Sequence, residues 1–232
     1  REFAGIAFYS LDNEELEYRV TPDADISSVQ LTSDGRYIAW TTNEDGYSKL
    51  HVRDRKFNEI LAPPELPPGV YGLGFSSAAH ALSIGVTGPS TPGDVYVWDI
   101  DTGTTSRPLQ STVAGPAPPP FVAPHPLPSE ARDGLGLQGF LYLPNAGDFA
   151  FKPPVVVSVH GGPTAQSRPT FKPQVQYLVN NGIAVFDVNV RGSTGSGRTF
   201  ATLDNQEKRL DSVRDLADTV AFLSGDDRLN TS

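Results

Sequence analysis

Two short stretches carry residue types whose spacing fits chemistry. The first, His160-Gly161-Gly162-Pro163, follows the apolar run Val155-Val156-Val157-Ser158-Val159. The second, Arg191-Gly192-Ser193-Thr194-Gly195-Ser196-Gly197, comes about thirty residues later. A continuous β-branched run predicts a strand buried on both faces of a parallel sheet. Glycines after it leave backbone N–H groups accessible at the carboxyl end of the sheet, where such folds place their ligands. A strand followed by a small-residue turn of this kind can form an oxyanion hole, the set of donors that receives negative charge in acyl transfer. A turn that merely lets the strand bend is the plainer alternative.

The second stretch alternates glycine with hydroxyl residues before a helix and so invites comparison with phosphate-binding loops. It lacks the lysine of G-x-x-x-x-G-K-[ST], and its spacing does not fit G-x-G-x-x-G. Packing beside the first stretch is the expected role, with Arg191 pairing a buried carboxylate or carbonyl. The nucleophile elbow G-x-S-x-G is absent: Ser193 follows Gly192 directly, and Ser196 stands between Gly195 and Gly197.

The elements that must position these residues can be read from periodicity. After Pro163, Phe171, Val175, Leu178 and Val179 recur at helical spacing. Pro173 is tolerable only in the first turn, and Asn181-Gly182 closes the helix. Ile183 to Val188 is the next parallel strand. Leu210, Val213, Leu216, Ala217, Val220 and Leu223 give a second helix its apolar face, with Asp204, Glu207, Asp211, Asp215 and Asp218 as solvated acids. The β-α-β-α succession implies right-handed crossovers.

Upstream the pattern is different. Residues 1–110 hold short alternating apolar runs between Gly, Asp, Asn, Ser and Pro, as in an all-β region. Val52-Arg53-Asp54 and Val97-Trp98-Asp99 lie 45 residues apart, Leu31 and Phe75 lie 44 apart, and a period of about 40 to 50 suits four-stranded propeller blades. Strands are expected over 29–31, 37–41, 49–53, 70–75, 81–86 and 94–100. Residues 111–128 are rich in proline, including Pro116, Pro118, Pro119 and Pro120, and read as an extended connection in which His125 is a solvated spacer.

His-Gly-Gly-Pro after a Val-rich strand, followed at this distance by Val188-Asn189-Val190-Arg191-Gly192-Ser193-Thr194-Gly195-Ser196-Gly197, resembles the prolyl oligopeptidase family of serine peptidases. The likeness is to its acylaminoacyl-peptidase and dipeptidyl-peptidase branch. The resemblance implies a mixed fold, with the last blades of a β-propeller over 1–110, a linker over 111–128, and the N-terminal half of an α/β-hydrolase domain over 129–232. It also implies site residues: Gly162 supplies a backbone N–H to the oxyanion hole, Gly161 lets the turn approach the substrate, and His160 forms a wall of the site. His160 is not read as the general base, because in α/β-hydrolases the catalytic histidine follows the nucleophile. Some members carry a tyrosine here that reaches the oxyanion, and histidine departs from that pattern.

The family implies hydrolysis of short peptides through a Ser-His-Asp acyl-enzyme, with no cofactor. The expected triad lies beyond Ser232, so this chain reads as an inactive portion of its parent. A start at Arg1, no methionine anywhere and too few blades to bury their own faces all read as a fragment with further blades upstream.

Composition sets the outer bounds. A formal charge of −9 over 232 residues, with no basic cluster, argues against nucleic acid and anionic membrane as partners. No apolar run approaches the roughly twenty residues that span a bilayer. The absence of cysteine excludes disulfides and thiolate catalysis and leaves the compartment open, with cytoplasm favoured over periplasm or secretion. Homo-oligomerisation also stays open. Two rival readings stand beside the peptidase: an α/β-hydrolase esterase, and a non-catalytic propeller-hydrolase binding protein.

Overall fold

The computed structural model describes residues 1–113, 120–145, 147, 149–162 and 164–230. Pro116, Pro118 and Pro119 of the proline-rich stretch, and Pro163 of the glycine turn, lie outside the described residues. The chain divides into two compact units, Arg1–Thr112 and Val113–Ser232.

The first unit is all β. A hairpin of β1 (Ile6–Tyr9) and β2 (Leu16–Val20) precedes two four-stranded antiparallel sheets. One runs in sequence order through β3 (Ile26–Leu31), β4 (Tyr37–Glu44), β5 (Tyr47–Asp54) and β6 (Ile60–Leu61). The other runs through β7 (Val70–Phe75), β8 (Ala81–Gly88), β9 (Thr91–Asp99) and β10 (Thr105–Leu109). The repeat seen in the sequence is real in three dimensions, because Val52-Arg53-Asp54 closes β5 and Val97-Trp98-Asp99 closes β9. Asp45 and Gly46 both take positive φ, the geometry of a two-residue hairpin whose twist matches its strands.

Alternation along β4 explains why it is buried almost throughout. Tyr37 and Ala39 join Leu50 and Val52 in packing on Leu82, Ile84, Val86 and Trp98 of the other sheet. Ile38 and Trp40 point the opposite way, onto Ile6 and Phe8 of the hairpin. Stacked four-stranded sheets of this kind are compatible with part of a propeller.

The second unit is built around β15 (Ala184–Asn189), in which all six residues are buried. On one side β15 pairs in parallel with β14 (Val155–Val159). On the other it pairs antiparallel with β13 (Gly136–Tyr142), which also takes the short β11 (His125–Pro126) and β12 (Ser129–Glu130). His125 is therefore a sheet residue, and Val122 is buried, its backbone N–H and C=O both bonded to the Gln176 side chain. The part of the proline-rich stretch from Phe121 onward thus has regular hydrogen bonds, which its composition did not suggest.

Helix α1 (Pro173–Asn180) starts on Pro173, where a missing N–H costs nothing, and buries Val175 and Val179. Phe171 precedes it. The short α2 (Gly197–Ala201) and a 3₁₀ turn at Gln206–Lys208 lead into α3 (Arg209–Ser224).

Two sequence expectations are corrected here. The Val155–Val159 strand is not buried on both faces: Val156 is 43% and Val159 46% exposed. Val155 and Val157 pack on the core formed with Phe186, Val188 and Leu223, while the other face carries Val156 and stays open among the described residues. The second correction concerns α3, of whose expected apolar face Leu216 and Leu223 pack on the core while the rest does not. Asp215, Thr219 and Leu223 are buried, while Leu210 (63%), Val213 (57%) and Val220 lie exposed.

Candidate active site at the carboxyl ends of two parallel strands

Parallel register brings the two stretches together. Val155 pairs with Ala184 and Val159 with Val188, so β14 and β15 end side by side and their following turns leave from one edge of the sheet. A cavity of about 220 Å³ opens there, lined by His160, Gly161 and Gly162 from one turn and by Arg191, Gly192 and Ser193 from the other. Gly161 and Gly162 are exposed. A side chain added at Gly161 would meet nothing within 4 Å, whereas one at Gly162 would lie 3.1 Å from the Thr164 nitrogen and 3.4 Å from Ala165 Cβ.

His160 lines this cavity, half-buried. Its Nε2 lies 2.8 Å from Ser193 Oγ and its Nδ1 lies 3.0 Å from the Gly161 carbonyl oxygen. Ser193 is buried, and its hydroxyl also lies 2.6 Å from the Val190 carbonyl. Sequence reasoning treated the two turns as neighbours but missed this pairing. The signal for it was the parallel register, which sets the residue after β14 against the turn that leaves β15.

The turn after β15 is held from below by ions. The Arg191 guanidinium donates to Asp215 through Nε (2.9 Å) and Nη2 (2.8 Å), and its backbone N–H donates to the same carboxylate at 2.9 Å. Nη1 and Nη2 reach Asp133 at 2.8 and 2.9 Å. The expectation of a buried carboxylate partner for Arg191 is met, since Asp215 is 0% exposed. Arg191 pulls the Asp133 carboxyl down to about 2, and the two carboxylates push the guanidinium further up. Asp204 and Asp215 are consequently not the solvated acids the sequence suggested. Asp204 is buried and accepts from Arg209 Nη1 at 2.7 Å.

Gly192, at φ +89°, is obligatory at its position. A Cβ there would stand 2.2 Å from Asp204 Oδ1. The arrangement as a whole is a recess lined by the glycines of both turns, with His160, Ser193, Asp204 and Arg209 among its polar residues. Among the described residues no three His, Cys, Asp or Glu side chains come together as metal ligands. No described helix is long and apolar enough to cross a membrane.

Comparison with known proteins bears on this site. Residues 169–231 match the family described as Prolyl oligopeptidase family, a segment that contains the Arg191–Gly197 stretch and begins after His160–Gly162. The resemblance to the prolyl oligopeptidase family holds. Dipeptidyl aminopeptidase BIII of Pseudoxanthomonas mexicana is 35% identical over 133 residues, 55% of this chain and 19% of that protein. Dipeptidyl peptidase family member 6 of Caenorhabditis elegans is 33% identical over 112 residues, 40% of this chain and 15% of that protein. The chain thus spans a fifth or less of the curated relatives it matches.

Solved structures show the same fold at low identity. A puromycin hydrolase superposes with a TM-score of 0.79 at 21% identity, over 96% of this chain and 35% of that one. Dipeptidyl peptidase 4 of Porphyromonas gingivalis gives a TM-score of 0.79 at 17% identity, over 99% and 33%. Structural neighbours of this prolyl oligopeptidase type combine a propeller with an α/β-hydrolase domain.

Proposed function

We propose that the chain forms part of a serine peptidase that hydrolyses short peptides, of the dipeptidyl- or acylaminoacyl-peptidase kind. In this reading residues 1–110 are the last propeller blades, 111–128 the connection, and 129–232 the N-terminal part of the catalytic domain. The observation that carries it is the exposed Gly161-Gly162 turn at the carboxyl end of β14, facing the cavity beside the end of β15.

Attack of a serine hydroxyl on a peptide carbonyl places a full negative charge on oxygen. The Gly162 N–H, preorganised at the rim, donates to that oxyanion more strongly than to the neutral carbonyl, and one such donor is worth roughly 2.7 to 4 kcal/mol. His160 walls the recess and takes no proton from the nucleophile. The serine, aspartate and histidine of the triad lie outside this sequence, so the chain by itself turns over nothing. Peptides as substrates gain support from relatives: a puromycin hydrolase S511A mutant is described in complex with PGG, and prolyl oligopeptidase B of Galerina marginata with a 35mer hydrolysis and macrocyclization substrate.

The test is covalent labelling of the full-length protein with a fluorophosphonate probe, beside turnover of aminoacyl and dipeptidyl p-nitroanilides and of matched esters. Labelling of the full-length protein, none of this chain, and preference for peptide over ester are expected. A folded full-length protein that resists the probe would refute the proposal.

A further inference from the structure

One histidine of the first unit meets two acceptors at once. His80, just before β8, places Nδ1 2.7 Å from Asp101 Oδ2 and Nε2 2.9 Å from Asp34 Oδ2. Ionised carboxylates accept and never donate, and a neutral imidazole carries a single N–H. Both contacts are hydrogen bonds only when both ring nitrogens bear hydrogen, which makes the ring an imidazolium. In either neutral tautomer a ring lone pair would face a carboxylate oxygen. The carboxylates are themselves held in place. Asp34 Oδ1 accepts from the Thr32 hydroxyl at 2.7 Å and from the Arg36 N–H at 2.9 Å, both within its own turn, so that Oδ2 is aimed at the ring. Asp101 Oδ1 faces the Tyr37 hydroxyl at 3.4 Å and Arg36 Nη1 at 3.8 Å.

The two carboxylates belong to different sheets. Asp34 sits in the β3–β4 turn, whereas Asp101 follows β9, where the Ile100 N–H donates to the His80 carbonyl at 3.0 Å. The Asp101 contact is therefore internal to the second sheet, and the Asp34 contact crosses to the first. It lies at the end of the shared core, where the Tyr37 ring meets the His80 ring edge-on at 5.0 Å. Among the described residues, the charged and titratable groups around the ring are Asp34, Arg36 and Tyr37 from the first sheet and Asp99 and Asp101 from the second. Three carboxylates stand against one guanidinium, and the bonds to Asp34 and Asp101 raise the ring's pKa. The side chain is 19% exposed beside a cavity of about 410 Å³ that it shares with Ser76 and Ser77, so protons reach it without unfolding. We propose that His80 is a proton-operated pin between the two sheets: charged, it ties Asp101 to Asp34 across the seam; neutral, it keeps the shorter Asp101 bond and releases Asp34. The pin is complete below the ordinary histidine value near 6.5 and is lost as pH rises through the raised one. It does not depend on the peptidase reading.

The experiment compares wild type, His80→Gln and Asp34→Asn in the full-length protein by hydrogen–deuterium exchange and mass spectrometry between pH 5.5 and 9. Exchange at the imidazole C2 position in the peptide that holds His80 gives its titration midpoint. Amide protection over residues 26–37 and 70–82, corrected at each pH for the intrinsic exchange rate, reports opening of the seam. In wild type the His80 midpoint should lie above 6.5, and protection of the seam should fall about threefold or more through that same midpoint. Residues 173–189, in the second unit, should show no such step. His80→Gln has one neutral donor group at every pH and should lose the step. Asp34→Asn keeps the ring but removes the carboxylate across the seam, so the His80 midpoint should move down towards 6.5 and the step should vanish; this variant carries the test should His80→Gln fail to fold. A wild-type seam without a step, a midpoint at or below 6.5, a step that persists in either variant, or an equal step over residues 173–189 would each overturn the inference.

Discussion

Replacing Arg191 by leucine tests how the site's floor is held. The guanidinium and backbone N–H of Arg191 satisfy a carboxylate, Asp215, that has no exposure to water. Removing the side chain leaves that charge buried with a single amide donor, a change that costs about 3 to 5 kcal/mol. On a unit of this size the loss corresponds to a fall in Tm on the order of 10 to 20 °C. The Arg191→Leu/Asp215→Leu pair should recover part of it, though the Arg191 amide then lacks its acceptor and about 1 to 3 kcal/mol stays lost. Asp133, half exposed, should matter far less when replaced by alanine. Its share of the clamp is complete above the ordinary carboxylate range and disappears as pH falls through about 2.

The assay follows from where the probes sit. All the helices among the described residues lie in the second unit, and both tryptophans, Trp40 and Trp98, lie in the first. Ellipticity at 222 nm should thus carry the shift while tryptophan fluorescence keeps its wild-type midpoint. Equal effects of the Asp133 and Asp215 variants, or a double variant less stable than either single one, would show that burial does not govern this pair.

Two further outcomes are expected. Gly192→Ala should destabilise the helical transition by more than the roughly 1 to 2 kcal/mol of a left-handed backbone, because its Cβ also displaces Asp204 from Arg209; a wild-type melting profile would contradict this. In the first unit, Asp34 and Asp101 bind the two ring nitrogens of His80 at 2.9 and 2.7 Å and raise its pKa above the ordinary histidine value. A raised pKa stabilises fully below the unfolded value near 6.5 and is lost as pH climbs through the folded one, so the fluorescence-detected urea midpoint should drop on the alkaline side in wild type and stay flatter in His80→Gln.

Much of the architecture was legible because alternation and turn chemistry are local. Asp45-Gly46 announces its hairpin, Pro173 its helix start, and the 45-residue echo of Val52 in Val97 its repeated sheet. Exposure was harder to read. The apolar content of Val155–Val159 does not reveal what stands on each side of the strand, and only pairing partners decide that. Helical periodicity likewise favoured Leu210, Val213 and Val220 along with Leu216 and Leu223, yet only the last two reach the core, and the inward side of α3 also carries Asp215, paired with Arg191. In the site, the glycines were visible as types. The Ser193–His160 contact was not, since it depends on register between strands separated by a helix.

The pairing order of the two units has a consequence for synthesis. In the first unit every strand pairs with its neighbour in sequence, so each sheet can close as it leaves the ribosome. In the second, Gly136–Tyr142 has the short His125–Pro126 and Ser129–Glu130 strands as earlier partners, but its other edge and all of Val155–Val159 wait for Ala184–Asn189, roughly fifty residues after Gly136 emerges. At about 5 to 20 residues per second that is a wait of several seconds with one edge of Gly136–Tyr142 and both edges of Val155–Val159 unpaired. The nascent chain is most exposed to aggregation and chaperone capture in that interval.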